Sequence, residues 1–187
     1  MHPETAAELG TGCFRAGLAG YRRGWTVATD NAVEEREVAY FDPRTGARPP
    51  VQVLFLNAEP AIGARIDGIV LRIRPEDLPV LDRREGNYRR VDVTRWVDLA
   101  AAEPGRRPDR IWLYTGTREA TLAAAAGTTA GTAVIWRRYL ERVRAALGRY
   151  DGMLGRFDAE RLPIPAGRVI DLERRRAGRP ADPYGRG

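Results

Sequence analysis

Short apolar runs divided by turn residues fill the first two thirds of the chain. These runs are rich in β-branched, aromatic and aliphatic side chains, which is typical of strands. The predicted strands are 14–29, 51–57, 66–73, 88–97 and 110–116. Gly17 to Gly20 predict a bend in the first strand, Glu59-Pro60 predicts a turn, and the stretch 30–50 predicts a loop.

Two helical patterns interrupt and follow the strands. Arg74-Pro75-Glu76-Asp77 predicts the start of a short helix, because proline suits the first helical position and acidic residues stabilise the N-terminal end of the helix dipole. Gly86 predicts its C-terminal cap. Residues 118–150 predict a long helix with a break near Gly127 and Gly131. Its apolar face consists of Ile135, Trp136, Tyr139, Leu140, Val143 and Leu147.

The order of these elements predicts the fold class. Strands, a short helix, more strands and a long helix do not alternate as parallel βα units do, so we expect an α+β fold whose strands curl into a small mixed β-barrel. A length of 187 residues fits one domain. We assign that domain to 1–170 and expect 171–187, which is basic and poor in apolar residues, to be a flexible tail.

Missing residue types exclude whole classes of chemistry. The chain contains neither lysine nor serine, so all 31 basic residues are arginine. Serine nucleophiles, lysine Schiff bases and phosphate-loop lysines are therefore excluded. His2 is the sole histidine and Cys13 the sole cysteine, so the chain has no His and Cys cluster for zinc and no cofactor is expected. We expect Cys13 to be a small buried hydrophobic residue.

Charge and hydropathy limit the partners. A net charge of +6 and a pI near 10.1 raise nucleic acid as a partner. Acidic residues are interleaved with the arginines, however, so we expect a mixed surface and no specific nucleic-acid role. No apolar run approaches the roughly 20 residues that cross a bilayer, and the first ten residues lack the basic and hydrophobic segments of a secretory leader. We expect a cytoplasmic protein.

Glu85 stands in an unusual place. It falls in the last turn of the predicted short helix, where the helix dipole carries partial negative charge and disfavours a carboxylate. The residues alone leave two interpretations open. Glu85 is either a surface carboxylate paired with Arg83, Arg89 or Arg90, or a residue that transfers protons.

Three segments resemble the γ-glutamylcyclotransferase family, including its AIG2-like and butirosin-pathway relatives. GIVLRIRPEDLPVLDRREGNYRRVDV at 68–93 is similar to the family's glycine-led strand, Leu-Asp-x-x-Glu-Gly element and tyrosine-bearing strand. AGLAGYRRGW at 16–25 resembles its second strand. WLYTG at 112–116, with the long helix around Tyr139, resembles its late strand and helix. Together these matches span most of 13–150.

The resemblance implies an enzyme that releases an amine or amino acid from a γ-glutamyl amide and closes the glutamyl part to 5-oxoproline. It implies that Glu85 is the general acid and base and that Tyr88, Tyr139 and Gly86 belong to the binding site for this small-molecule substrate. Because the substrate's own α-amine is the nucleophile, such an enzyme needs no serine or lysine. From the residues alone, Tyr139 fits a core tyrosine better, and Tyr88 fits either role.

One part of the family pattern is missing from the sequence. Family members open with a strand and a Tyr-Gly-Ser-Asn-like loop whose backbone amides hold the substrate, and Met1-His2-Pro3-Glu4 resembles the residues that follow that loop. Either the true start lies upstream of Met1 or the chain is a truncated member. We expect the first, because losing a central strand leaves unpaired backbone groups. The alternative function is a degenerate, non-catalytic barrel that acts as a binding module.

Overall fold

The elements of the chain mix strands and helices. The structure, a computed structural model, describes residues 13–34, 37–99, 108–160, 162–163 and 168–176. Within them the strands are β1 (Cys13–Asp30), β2 (Val38–Phe41), β3 (Gln52–Leu71), β4 (Tyr88–Asp92), β5 (Val97–Leu99), β6 (Trp112–Gly116), β7 (Ala133–Trp136), β8 (Val169–Ile170) and β9 (Glu173–Arg176). The helices are α1 (Leu78–Arg84), α2 (Arg118–Thr129), α3 (Arg137–Gly148) and α4 (Met153–Ala159), with single 3₁₀ turns at Pro75–Asp77 and Thr94–Trp96. The α+β class predicted from the sequence is confirmed.

The strands form three sheets. The largest has the order β5-β1-β3-β7-β8, in which β1 and β3 are antiparallel over their whole lengths and β7 runs parallel to β3. β2 pairs with β9, and β4 pairs with β6, each as an antiparallel ribbon. Among the described strands the sheets do not close into the predicted barrel.

The main core lies where the helices cover the large sheet. Trp25 of β1, Leu54 of β3 and Ile135 of β7 are at most 5% exposed and pack with residues of α2 and α4. α3 adds the apolar face that the sequence predicted, including Tyr139 and Val143. Two further clusters extend the core under the β2–β9 and β4–β6 ribbons. Each ribbon is therefore fixed to the large sheet by buried apolar contacts.

The helical prediction for 118–150 is wrong where it covers Ile135 and Trp136, whereas the break expected near Gly127 and Gly131 is present. Gly131, at φ +69°, lies in the turn after α2, and β7 follows before α3 begins. All four β7 residues are buried; Ala133, Val134 and Ile135 pair with β3, and Trp136 pairs with Ile170 of β8. Ile135 and Trp136 therefore belong to the sheet, because a segment buried on every side favours a parallel strand over an amphipathic helix.

β1 and β3 also pass through two of the predicted breaks, the bend at Gly17 to Gly20 and the turn at Glu59-Pro60. β3 continues through Glu59 and Pro60, where a turn was expected, and bulges at 61–64 opposite Gly20. Gly20 and Gly63 have φ values of +75° and +77°, the left-handed conformation that glycine adopts without strain. The loop predicted for 30–50 contains β2.

Buried Asn31 explains how β2 is held without a strong apolar pattern. Its Nδ2 donates to the Tyr40 carbonyl over 2.7 Å, and its Oδ1 accepts from the Tyr40 N–H over 2.8 Å. The same Nδ2 lies 2.9 Å from the Pro49 carbonyl. One side chain therefore links Tyr40 of β2 and Pro49 to the residue that follows β1.

Two predictions near the chain ends need correction. Residues 171–187 were expected to form a tail, yet 173–176 form β9, and 177–187 lie outside the described residues together with His2. Cys13 is exposed, so the prediction that it is buried is wrong. It is the first residue of β1, at the end of the strand rather than in the core.

Candidate functional site

Glu85 lies at the junction between α1 and β4. It is the C-terminal cap of α1, and its N–H donates to the Leu81 carbonyl over 2.9 Å. Its own carbonyl accepts from the Tyr88 N–H over 2.7 Å. Leu81 is 2% exposed and anchors the last turn of α1, while the Glu85 side chain is half-buried. The carboxylate is therefore carried by a turn whose backbone is fixed on both sides.

Gly86 and Asn87 form the tight turn between Glu85 and Tyr88. The prediction that Gly86 caps the helix is wrong, because Glu85 ends it with φ −90° and ψ 43° and Gly86 does not take a left-handed conformation. The Asn87 Nδ2 donates to Thr29 Oγ1 over 2.8 Å. Its carbonyl accepts from the backbone N–H of residue 117 over 2.9 Å. The turn is thus tied to β1 and to the start of α2.

Tyr88 and Tyr139 meet at one peptide of β3. The Tyr88 hydroxyl donates to the Leu56 carbonyl over 2.8 Å, and the Tyr139 hydroxyl lies close enough to the Leu56 backbone for that backbone to lower its pKa. Leu56 lies where the register between β3 and β1 shifts. The Tyr139 ring packs edge-on against Phe55, with 4.9 Å between ring centroids. Tyr139 is therefore both a core residue, as its helical position suggests, and a residue that brings a hydroxyl beside Tyr88.

Burial keeps the tyrosine hydroxyls protonated. It raises the pKa of Tyr88 and of Tyr139 well above the usual range, and the negative charge of nearby Glu85 adds to both shifts. Burial also raises the pKa of Tyr40 to about 12. None of the three hydroxyls can serve as a base at neutral pH. Among these four residues, proton abstraction is left to the Glu85 carboxylate.

An open cavity of about 1500 Å³ joins these residues. Glu85, Gly86, Tyr88 and Tyr139 all line it, so the structure brings the four predicted site residues together. The acidic residues among its described lining are Glu37, Glu85 and Asp109. Glu37 and Asp109 are exposed, whereas Glu85 is half-buried and is the acid whose charge acts on both tyrosines.

Arg90, one of the arginines near Glu85, has other partners. Arg90 Nη2 lies 3.3 Å from Asp82 Oδ2, and the Arg90 guanidinium lies 4.8 Å from the centroid of the Trp112 ring. The Tyr114 hydroxyl donates to the same Asp82 carboxylate over 2.7 Å. Within the described part of the chain, no ion pair joins Glu85 to any of the three arginines considered from the sequence. The paired-surface interpretation of Glu85 gains no support.

Asn57 and Thr115 hold the site together and were not picked out from the sequence. Asn57 is 5% exposed; its Oδ1 accepts from the Gly116 N–H over 2.8 Å, and its Nδ2 donates to Thr26 Oγ1 over 3.2 Å. The Thr115 hydroxyl donates to the Ala58 carbonyl over 2.7 Å. These bonds tie β6 to β3. The sequence offered one signal for Asn57, which is the carboxamide at the end of the apolar run VQVLFLN.

Comparison with known proteins adds no relative. A scan against models of protein families finds no match, and neither does a search of curated proteins. In the described ranges, no three His, Cys, Asp or Glu side chains come together as metal ligands. None of the helices in those ranges is long and apolar enough to cross a membrane. The family resemblance therefore stays a prediction based on three segments of the sequence.

Proposed function

We propose that the chain is a cofactor-independent γ-glutamylcyclotransferase-like enzyme with Glu85 as its general acid and base. The observation that carries this proposal is the convergence of Glu85, Tyr88 and Tyr139 on one cavity beside the Leu56 peptide. The three side chains come from a turn, a strand and a distant helix. The proposal is supported by the position of these residues, which are far apart in the chain and line the same cavity.

The proposed reaction needs one carboxylate and no protein nucleophile. Starting from the neutral α-amine, the substrate nitrogen attacks its own γ-carbonyl carbon and passes a proton to Glu85. The new carbon–nitrogen bond closes the lactam. The bond from that carbon to the leaving nitrogen breaks as Glu85 returns the proton to this nitrogen. The products are 5-oxoproline and a free amine, and holding the glutamyl chain folded supplies much of the acceleration.

The two tyrosine hydroxyls suit the carbonyl and N–H groups of such a substrate. Burial keeps the Tyr139 hydroxyl protonated, and no described hydrogen bond uses its hydrogen, so it can donate to the γ-carbonyl oxygen as negative charge develops there. The Tyr88 hydroxyl donates its hydrogen to the Leu56 carbonyl, so it can only accept a hydrogen bond from the substrate. We therefore assign Tyr139 to the carbonyl and Tyr88 to an N–H group.

We also propose that the three sheets belong to an open barrel of the family's type. β6 and β3 approach each other at Thr115 and Asn57, where side chains rather than a backbone ladder make the hydrogen bonds. The cavity is open and is lined by strands of both the large sheet and the β4–β6 ribbon. An arrangement in which one further strand completes the wall is consistent with that opening.

The alternative is a binding module that keeps the cavity without the chemistry. Such a module would use the same cavity and its buried tyrosine hydroxyls for binding alone. Such a module would bind γ-glutamyl amides and return them unchanged.

Product analysis separates the two functions. The full chain is incubated with γ-glutamyl amines and γ-glutamyl dipeptides, and the products are resolved by chromatography. The proposed enzyme releases 5-oxoproline and free amine in equal amounts and no glutamate. Release of glutamate means hydrolysis and contradicts the cyclisation. Binding in a calorimeter with no product after long incubation supports the module.

A further inference from the structure

Asp82 joins α1 to the ribbon of β4 and β6. The Tyr114 hydroxyl donates to Asp82 Oδ1 over 2.7 Å, and Arg90 Nη2 lies 3.3 Å from Asp82 Oδ2. Arg90 and Tyr114 stand opposite each other in the β4–β6 register, so they share one face of the ribbon. The Trp112 ring, two residues before Tyr114, packs 4.8 Å from the Arg90 guanidinium. We call Asp82, Arg90 and Tyr114 the carboxylate clamp.

The carboxylate clamp holds the turn that carries Glu85. Asp82 precedes Glu85 by three residues, and the Glu85 N–H donates to the Leu81 carbonyl within the same turn of α1. After Glu85, its carbonyl accepts from the Tyr88 N–H, and Arg90 follows two residues later on β4. The clamp therefore fixes the chain both before and after Glu85.

α1 has few other contacts that could fix Glu85. Of its seven residues, all of which the structure describes, Leu81 is the buried one, and Val80 is 54% exposed. A helix this short is not stable on its own, because isolated helices shorter than roughly 12–15 residues are marginal in water. The position of α1 thus depends on the burial of Leu81 and on the contacts of Asp82.

The carboxylate clamp lies next to the cavity. Tyr114 lines the cavity, whereas Asp82 and Arg90 are not among the described residues that do. Partial burial raises the pKa of Tyr114 above its usual range, the hydrogen bond to Asp82 adds to the shift, and the charge of Glu85 contributes as well. Tyr114 is therefore a hydrogen-bond donor at neutral pH and lies within electrostatic reach of Glu85.

We infer that Asp82 is a positioning residue, which holds Glu85 at the cavity through Tyr114 and Arg90 and does not itself contact the substrate. This inference rests on the proposed function, because it gives Asp82 a part in the reaction assigned to Glu85. A carboxylate that transfers a proton between two substrate nitrogens has to stay within hydrogen-bond reach of both. Fixing its turn raises the rate without adding a contact to the substrate.

Backbone mobility tests the carboxylate clamp without an assay of activity. Asp82→Ala removes both contacts of the carboxylate, and alanine is the better helix former, so added mobility cannot come from lower helix propensity. In ¹⁵N relaxation measurements the order parameters of Glu85 and Gly86 should fall from about 0.85 towards 0.6, or relaxation dispersion should appear there. The order parameter of Ile135, in the core, should not change.

A double substitution tests whether Asp82 acts through Glu85. We expect Asp82→Ala to lower kcat/KM for 5-oxoproline release about tenfold or more, because a displacement of about 1 Å can cost on the order of 100-fold. In the Glu85→Gln background the same substitution should cost less than about twofold, since no carboxylate is left to position. A role in general stability alone would lower both rates by the same factor. Tyr114→Phe removes one contact of the clamp and should show the same pattern with a smaller loss.

Asp77→Asn is the matched control. Asp77 is also an acid of this helical segment, but it pairs with nearby Arg74 over 3.0 Å, so its loss should leave Glu85 rigid and kcat/KM within about twofold. Unchanged mobility at Glu85 in Asp82→Ala would overturn the inference, as would an equal loss of kcat/KM in both backgrounds. If Asp82→Ala does not fold, Tyr114→Phe decides both measurements.

The two measurements separate this inference from the proposed function. Added mobility at Glu85 in Asp82→Ala, together with no 5-oxoproline release by the wild type, contradicts the proposed function alone. Release that falls in Glu85→Gln but not in Asp82→Ala contradicts this inference alone.

Discussion

An Asn57→Ala substitution removes the carboxamide that joins three strands. The Gly116 N–H loses its acceptor at 2.8 Å and Thr26 Oγ1 loses a donor at 3.2 Å. Leaving a largely buried donor without a partner costs about 1–3 kcal/mol, and the longer hydrogen bond adds on the order of 0.5–1 kcal/mol. We therefore expect a loss of about 2–3 kcal/mol in the free energy of unfolding. For a protein of this size that corresponds to a fall in Tm of roughly 5–10 °C.

Urea unfolding followed by circular dichroism measures this loss. Gln52→Ala is the matched control, because Gln52 is a second carboxamide on β3 whose Oε1 is buried with no hydrogen-bond partner in the described ranges. Its truncation should cost less than about 1 kcal/mol, since no described hydrogen bond of that oxygen is lost. The reasoning is refuted if the two variants lose the same free energy. Such a result would mean that Asn57 does not hold β6 against β3.

Two further predictions concern the turn and the buried tyrosines. Gly86→Ala should be neutral or stabilising by up to about 1 kcal/mol in urea unfolding, because an added Cβ meets its nearest atom, the Arg83 carbonyl oxygen, at 4.0 Å. Gly63→Ala, at φ +77°, should destabilise, and a Gly86→Ala variant that is the less stable of the two would show that residue 86 needs glycine. The free energy of unfolding should decline as pH rises from about 10, the pKa of an unfolded tyrosine, to about 12, the pKa of folded Tyr40. The free energy of unfolding falls with rising pH in that window because the folded state holds the tyrosine proton more tightly than the unfolded state does. Tyr40→Phe should show a smaller decline, and an equal decline would contradict the assignment of this effect to Tyr40.

Elements with a strong local pattern could be predicted from the sequence. The apolar run that opens β3 and the Pro75 helix start are local signals, and the structure has a strand and a helix there. Glu85 and Tyr88 were close in sequence, so any turn between them keeps them near each other. Tyr139 was predicted to belong to the site from the family pattern, because helical spacing alone places it only on an apolar face. The structure has it in the lining of the same cavity.

Other elements depended on contacts between distant parts of the chain. β7 continues the apolar spacing of α3, so its strand character appears only from its pairing with β3. β9 consists of charged residues, yet it is paired with β2 and lies beside buried Leu172. The Leu56 peptide accepts side-chain contacts because the register of β3 shifts there, which no local pattern reports. The hydrogen bonds of Asn57 likewise depend on where β6 lies.

The comparison of Glu85→Gln with Glu37→Gln tests the proposed chemistry most directly. Both residues line the same cavity and both substitutions remove one carboxylate, but Glu37 is exposed and is not among the charges that shift the pKa of Tyr88 or Tyr139. The measurement is kcat/KM for 5-oxoproline release from a γ-glutamyl dipeptide. A general acid and base contributes roughly 10²- to 10⁴-fold, so Glu85→Gln should lose activity by that factor while Glu37→Gln stays within about threefold of the wild type. Equal rates of 5-oxoproline release by Glu85→Gln and the wild type would contradict the assignment of Glu85.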